Sequence, residues 1–264
     1  MRLRDRGRNG APTTAKSGPA TRPSGGRGRP GKRTRLLSVF VIFGALAALT
    51  RPGRSIGRGL ARWLDTRVEG FGGPESAAYA RLLVPFLGRL YRRVADDVTV
   101  ELTSRGRNHK ARIVDLGCGT GELIVAISGR LSDARIVGLD SSPSMLLWAN
   151  RHSTTDGRLS FMTVDAAVMP FADETVDLVV STLSLHHWED PANVFAEIAR
   201  VLKPSGVALI YDPKLVTFTE SEMSEIALNA GLEPAEIVRE GVRGRLLSRL
   251  FVRFRLEGLP EGEG

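Results

Sequence analysis

Apolar positions between residues 75 and 98 recur at helical spacing. Tyr79, Leu82, Leu83, Phe86, Leu87, Leu90 and Tyr91 stand one, three or four apart, which predicts an amphipathic lead-in helix or a pair of them. After a polar stretch at 104–110 the pattern changes. Short β-rich runs at 111–116, 135–139, 159–164, 176–181 and 206–211 alternate with helical patterns near 121–131, 142–151 and 191–202. Strands alternating with helices predict a parallel sheet covered on both faces, a doubly wound α/β domain with an N-terminal helical extension. A helix near 220–230 and two further β-rich pieces near 235–242 and 247–256 follow, and the pieces predict a hairpin added at an edge. No internal repeat of fixed period runs through the chain.

The chain before residue 75 patterns differently. Residues 1–35 mix Gly, Pro, Ser, Thr and Arg with almost no large apolar side chains, so they cannot bury enough surface to offset ordering entropy and read as a disordered basic tail. An apolar run follows at 36–49, with Arg33 and Arg35 before it and Arg51, Arg54 and Arg58 after it. It falls short of the ~20 residues that span a bilayer. A signal-peptide core, a membrane-surface anchor and a helix packed on the domain compete for it. Ala45-Leu46-Ala47 resembles a cleavage site, but the charged stretch before it is long for a signal. The anchor is favoured: residues 33–58 then meet an anionic membrane surface, and the protein is cytoplasmic, attached to the inner face of the membrane. The expected organisation is a tail at 1–35, an apolar segment and linker at 36–74, a catalytic domain at 75–258 and a tail at 259–264.

Composition narrows the function classes. The net charge is +8, but residues 1–35 hold eleven Lys or Arg and one acid, which leaves 26 basic and 28 acidic residues in the rest of the chain. The globular part is therefore not basic, which argues against nucleic acid as a partner. Cys118 is the single cysteine of the sequence. It excludes an intramolecular disulfide and any cysteine-cluster metal site, and no other spacing suggests a metal.

The most informative stretch is Val114-Asp115-Leu116-Gly117-Cys118-Gly119-Thr120-Gly121-Glu122, which closes the first expected strand and opens the first helix. Glycines there permit positive φ and let a ligand lie against the backbone, at a helix N-terminus that favours a carboxylate or phosphate. A tight turn with no ligand would use the same residues. The dinucleotide fingerprint needs a third glycine at position 122; that position is Glu122. The second strand ends in Gly138-Leu139-Asp140. A carboxylate there can accept both hydroxyls of a ribose or cap the next helix, and its place after a glycine turn favours the ribose.

The GxGxG turn preceded by Asp115 resembles the first motif of the class I S-adenosylmethionine (SAM)-dependent methyltransferases. Val164-Asp165-Ala166-Ala167 followed by Met169-Pro170-Phe171 resembles the family's adenine-binding segment. Leu185-His186-His187-Trp188 after the fourth strand resembles ubiquinone/menaquinone- and biotin-pathway members, and Ala199-Arg200-Val201-Leu202-Lys203-Pro204-Ser205-Gly206 resembles the turn before the fifth strand, with Ser205 where a glycine is usual. The resemblance spans about residues 75–256 and rests on ordered motifs that are each weak alone. It implies a Rossmann-like seven-stranded sheet whose last strand is antiparallel. It also implies SAM as cofactor, held by Asp115, Gly117, Cys118, Gly119, Gly121, Asp140, Ser141, Asp165, Ala166 and Ser181.

Candidates for chemistry are His186 and His187, either of which could deprotonate or position an acceptor where the fourth strand ends. Packing and helix capping are the plainer roles. Tyr79 and Tyr91 could close over the cofactor or pack, Trp188 reads as packed, and Asp177 as structural. Three functions follow: methyl transfer to oxygen or carbon of a small lipophilic or aromatic acceptor, a SAM-binding protein without catalysis, and an RNA methyltransferase that uses the basic tail. The intact glycines and carboxylates argue against the second. The neutral domain and the lack of an NPPY-type tetrapeptide argue against the third.

Overall fold

In the computed structural model the described residues are 84–107, 109–153, 157–213, 218–238 and 251–258. The basic tail, the apolar segment at 36–74, Tyr79, Leu82, Leu83 and the stretch at 239–250 lie outside them.

The lead-in helix α1 (Val84–Ser104) extends past the expected end at residue 98. The stripe simply continues: Leu90, Val94, Ala95, Val98 and Leu102 are all buried, with Leu87 and Tyr91 packed at the margin. Four of these are large apolar side chains at about 1.5–3 kcal/mol each, against about 0.2–1 kcal/mol for an exposed ion pair. Burial therefore dominates the attachment of α1, and polar links fix its register. Tyr211 Oη donates to Asp97 Oδ2 at 2.8 Å, and the Arg255 guanidinium forks onto Glu101 at 2.8 and 3.0 Å.

Seven strands follow: β1 (Arg112–Leu116), β2 (Arg135–Asp140), β3 (Leu159–Thr163), β4 (Val176–Thr182), β5 (Leu202–Pro213), β6 (Leu232–Val238) and β7 (Phe251–Gly258). Their order in the sheet is β3-β2-β1-β4-β5-β7-β6. The first five are parallel to their neighbours, whereas β7 runs antiparallel to both β5 and β6. The last two strands form the expected antiparallel pair at the β5 edge of the sheet, with β7 against β5 and β6 outermost. The alternating buried residues of β7, Val252, Phe254 and Leu256, need that covered position.

Among the described residues four further helices complete the layers: α2 (Glu122–Ser128), α3 (Pro143–His152), α4 (Pro191–Val201) and α5 (Glu220–Asn229). Side chains alternate across each strand. Ile113, Ile136, Leu178 and Val180 therefore pack with α1, α2 and Leu146 of α3, whereas Val114, Leu139, Val179 and Ala208 pack with α4 and α5. The helix starts are written locally. Asp190 Oδ1 accepts from the Asn193 N–H before α4, and Thr219 with Glu222 forms a reciprocal capping box on α5. The β3–β4 connection, residues 164–175, has no helix, so the alternation lapses there. Ser205, standing where the resembled family has glycine, takes φ 57° and its carbonyl accepts from Arg105 at 2.7 Å.

Among the described residues no helix is long and apolar enough to cross a membrane.

Candidate active site

The carboxyl ends of the strands gather most of the residues singled out by the sequence. Between β1 and α2 the chain turns through Gly117 and Gly119 at φ 74° and 52°, a conformation that side chains rarely tolerate. The two glycines serve different ends. A Cβ on Gly117 would overlap Ser184 Oγ at 2.1 Å, whereas a Cβ on Gly119 would meet nothing within 4 Å. Gly117 thus lets the segment after β4 close on the turn, and Gly119 presents bare backbone to open space.

Asp140 is built into this turn. Its Oδ2 accepts from the Gly119 N–H and its Oδ1 from the Ser142 N–H, both at 2.8 Å. The cap of α3 is Ser142, whose Oγ accepts from Met145 N–H. Asp140 therefore orders the hollow itself, with carboxylate lone pairs left for a ligand. Asp115, the neighbour of Gly138 across β1 and β2, is buried and its Oδ2 has no partner. Burial, with Asp140 and Glu122 nearby, pushes the Asp115 carboxyl up to about 8. Burial also raises Asp140, against its two backbone donors and the charge of His187, and raises the Cys118 thiol.

The helix that the glycine turn opens, α2, is seven residues long and begins with Glu122 beside Asp115 and Asp140. Such a hollow favours positive charge.

The other wall follows β4. Leu183 takes φ 61°, a strained conformation for leucine, and its N–H donates to the Tyr211 carbonyl at 2.8 Å. A 3₁₀ turn, Leu185–His187, then brings His186 Nδ1 within 2.8 Å of Asp212 Oδ1. Asp212 is fully buried at the end of β5, and its Oδ2 has no partner. The His186 and His187 rings lie 4.0 Å apart, centre to centre, and His187 is exposed. Trp188 is packed as expected: it is buried edge-on against Phe195, and its Nε1 donates to Ser184 Oγ at 2.9 Å. Ser184 is thus the hinge between the histidine turn and Gly117.

The other expected residues are less convergent. Asp165 is exposed and accepts from the Ala167 N–H at 2.9 Å, tied to the second strand through Val164 N–H to the Asp140 carbonyl. Ser141 is exposed, while Ser181 lies fully buried in β4 with its Oγ unpartnered. Asp177, read as structural, is at the opposite end of β4, where it accepts from the Arg112 N–H and from Lys203 Nζ. Asp212 and Ser184 were missed. The one signal for Asp212 was a carboxylate placed directly after the apolar run 207–211.

Comparison with known proteins agrees with this architecture. Residues 114–210 match the family described as "Methyltransferase domain". The chain is 32% identical over 152 residues to the malonyl-[acyl-carrier protein] O-methyltransferase of Hahella chejuensis, covering 54% of each chain. It is 32% identical over 123 residues to the demethylmenaquinone methyltransferase of Thermus thermophilus, covering 46% of this chain and 53% of that one. The chain thus spans about half the length of these curated relatives. A SAM-dependent methyltransferase from Mesorhizobium loti shares the fold with a TM-score of 0.50 at 19% identity, over 56% of this chain and 91% of that one.

The residues present fit the cofactor this family uses. SAM carries positive charge on its sulfonium and ammonium groups, and the hollow offers it a buried carboxylate oxygen without a partner, Asp115 Oδ2, beside the bare backbone of Gly119. With the sheet order, the antiparallel β7, the acidic glycine turn and the family match in agreement, residues 114–210 are a methyltransferase domain of the class I SAM-dependent kind.

Proposed function

We propose that residues 75–258 form a catalytic domain that methylates an oxygen or carbon of a small lipophilic or aromatic acceptor, with His186 as general base. The observation that carries this reading is the His186–Asp212 pair, 2.8 Å long, on a turn locked against the glycine turn through Ser184. When bound, SAM supplies an electrophilic methyl group. The chain's residues do the rest. Asp140, Gly119 and the ionised Asp115 bind and orient the cationic cofactor, and the segment from Asp165 to Ala166 receives its adenine. Asp212 holds the proton of His186 on Nδ1, which leaves Nε2 free to take a proton from an acceptor hydroxyl or acidic carbon. Positioning of the two reactants supplies most of the remaining rate.

A membrane-side location supports a greasy acceptor: the run at 36–49 and its basic flanks would hold the protein at the inner, anionic membrane surface. Relatives named for a menaquinone precursor and for a malonyl carrier protein support acceptors other than nucleic acid.

The test is to incubate the full-length protein with deuteromethyl-SAM and with lipid and metabolite extracts of a strain lacking it. A labelled product that is present in the parent strain and missing from the deletion strain is expected. A protein that binds SAM yet labels nothing in either extract would support the non-catalytic alternative instead.

A further inference from the structure

At the amino ends of the strands, away from the cofactor hollow, lies a cavity of about 870 Å³ lined by Lys110, Arg112, Arg135, Arg158 and Lys203 together with Asp133, Glu174 and Asp177. A second cavity of about 550 Å³ shares Arg112, Arg135 and Arg158 and adds Val137, Pro170 and Phe171. The helix-free β3–β4 connection leaves this side of the sheet open. β1 is only five residues long, so at ~3.3 Å per residue its two ends lie on the order of 15 Å apart, enough to keep a ligand here clear of the glycine turn.

Basic side chains at this end have an ordinary explanation, because helix C-termini point the same way and offer free carbonyls. That explanation covers some of them. Arg130 donates to the Ala126 carbonyl of α2, and Arg158 donates to the carbonyls of Leu131 and Ala134 just after it. Lys203 is paired with Asp177, which also accepts from the Arg112 backbone N–H, and Asp133 faces His109. Arg112 and Arg135 are left over. They open β1 and β2 and are partners in register, so both side chains leave the same face of the sheet ~4.8 Å apart. Neither guanidinium has a hydrogen-bond or ion-pair partner among the described residues. Glu174 is the one lining carboxylate that neither of the pairs above engages.

We propose that this cavity binds a phosphate-bearing ligand, with Arg112 and Arg135 as a double fork for the phosphate. Two neighbouring guanidinium groups match the tetrahedral oxygens of a phosphate better than a single ammonium does. Lys110 and Arg158 add positive charge at the rim, while Val137, Pro170 and Phe171 offer an apolar shelf for the organic part. The combined size lies in the range of small-ligand sites. A soluble organic phosphate and a lipid phosphate headgroup share this chemistry.

The test uses the full chain, wild type and R112Q/R135Q. Both carry the same basic tail, so the difference between them reads the cavity. Calorimetry with inorganic pyrophosphate is expected to give at least tenfold weaker binding in the variant at unchanged SAM affinity. Vesicles of phosphatidylcholine with and without phosphatidic acid separate the sources. Loss of phosphatidate-dependent sedimentation in the variant points to a headgroup, and loss of pyrophosphate binding alone points to a soluble ligand. Equal behaviour of the two proteins with both probes overturns the proposal. Should the double variant lose SAM binding as well, R135Q, altered at an exposed side chain, replaces it. In wild-type protein, pyrophosphate should protect Arg112 and Arg135 from phenylglyoxal, and unchanged modification of both overturns the proposal equally.

Discussion

The two ends of the sheet are built from the same strands with opposite chemistry. At the carboxyl end stand Asp115, Glu122, Asp140 and Asp212, and two of them carry buried oxygens without partners. At the amino end stand Arg105, Arg107, Arg112, Arg135 and Lys203, and the one carboxylate buried there among the described residues, Asp177, accepts from Lys203 and a backbone N–H. An unpartnered buried carboxylate oxygen destabilises a fold, and a paired one does not. The carboxyl end therefore carries a desolvation cost that a bound cation can offset, with Leu183 at φ 61° as its backbone counterpart. The amino end holds the sheet together. Substitutions of the carboxylates should separate along this line, affecting turnover or SAM affinity at the carboxyl end and stability at Asp177.

The largest effect is expected at the histidine turn. His186→Gln should lower kcat roughly a hundred- to ten-thousand-fold, the range of a lost general base, with SAM affinity unchanged by calorimetry. Asp212→Asn tests the positioning role. It should reduce kcat less and alter the pH profile of turnover, a readout that a purely packing role for Asp212 would leave in place. Wild-type turnover in a folded His186→Gln protein would remove the histidine from the chemistry.

A smaller pair of effects sharpens the contrast between the ends. Asp140→Ala removes the carboxylate that organises Gly119 and Ser142, and should weaken SAM by about 1.5–3 kcal/mol, the usual worth of charged hydrogen bonds. Asp177→Ala leaves the Arg112 N–H without its acceptor and Lys203 without its partner. It should lower unfolding free energy by about 1–3 kcal/mol while SAM affinity holds. Denaturant unfolding and calorimetry on both variants settle the assignment. If Asp177→Ala weakens SAM as strongly as Asp140→Ala does, the division between the ends fails.

Much of this was legible from local signals. The runs that became β1 and β4 are statements about neighbours in the chain, and so is the glycine turn. The positions that escaped depend on long-range partners. Asp212 becomes informative only when β5 lies beside β4 and delivers it to His186, 26 residues earlier. Ser184 acquires its role from Gly117, on a different strand connection. Which strand of the expected edge hairpin lies against β5 is likewise a property of the sheet, because the alternation along β7 suits the inner and the outer place equally well.

The subtlest expected effect is a pH dependence seated on Asp115. Its carboxyl sits at about 8 in the folded protein, raised first by burial and then by Asp140 and Glu122. The unfolded chain releases the same proton near the ordinary carboxylate value of about 3.9. Between these values the folded state holds a proton that the unfolded state does not, so this contribution to stability is full below about pH 4 and is lost as pH rises through 8. Asp115→Asn removes the linkage and should raise the melting temperature of the ligand-free protein at pH 7.5, with the gain vanishing near pH 4. Binding runs the other way. A cationic cofactor favours the ionised carboxylate, so SAM binding below pH 8 should release a proton. Affinity should then climb between pH 6 and 8, by at most about tenfold per unit, and level off above. Calorimetry in buffers of different ionisation enthalpy counts the proton directly. A flat affinity profile with no proton release in the wild type would mean that Asp115 stays protonated in the complex and takes no part in holding the cation.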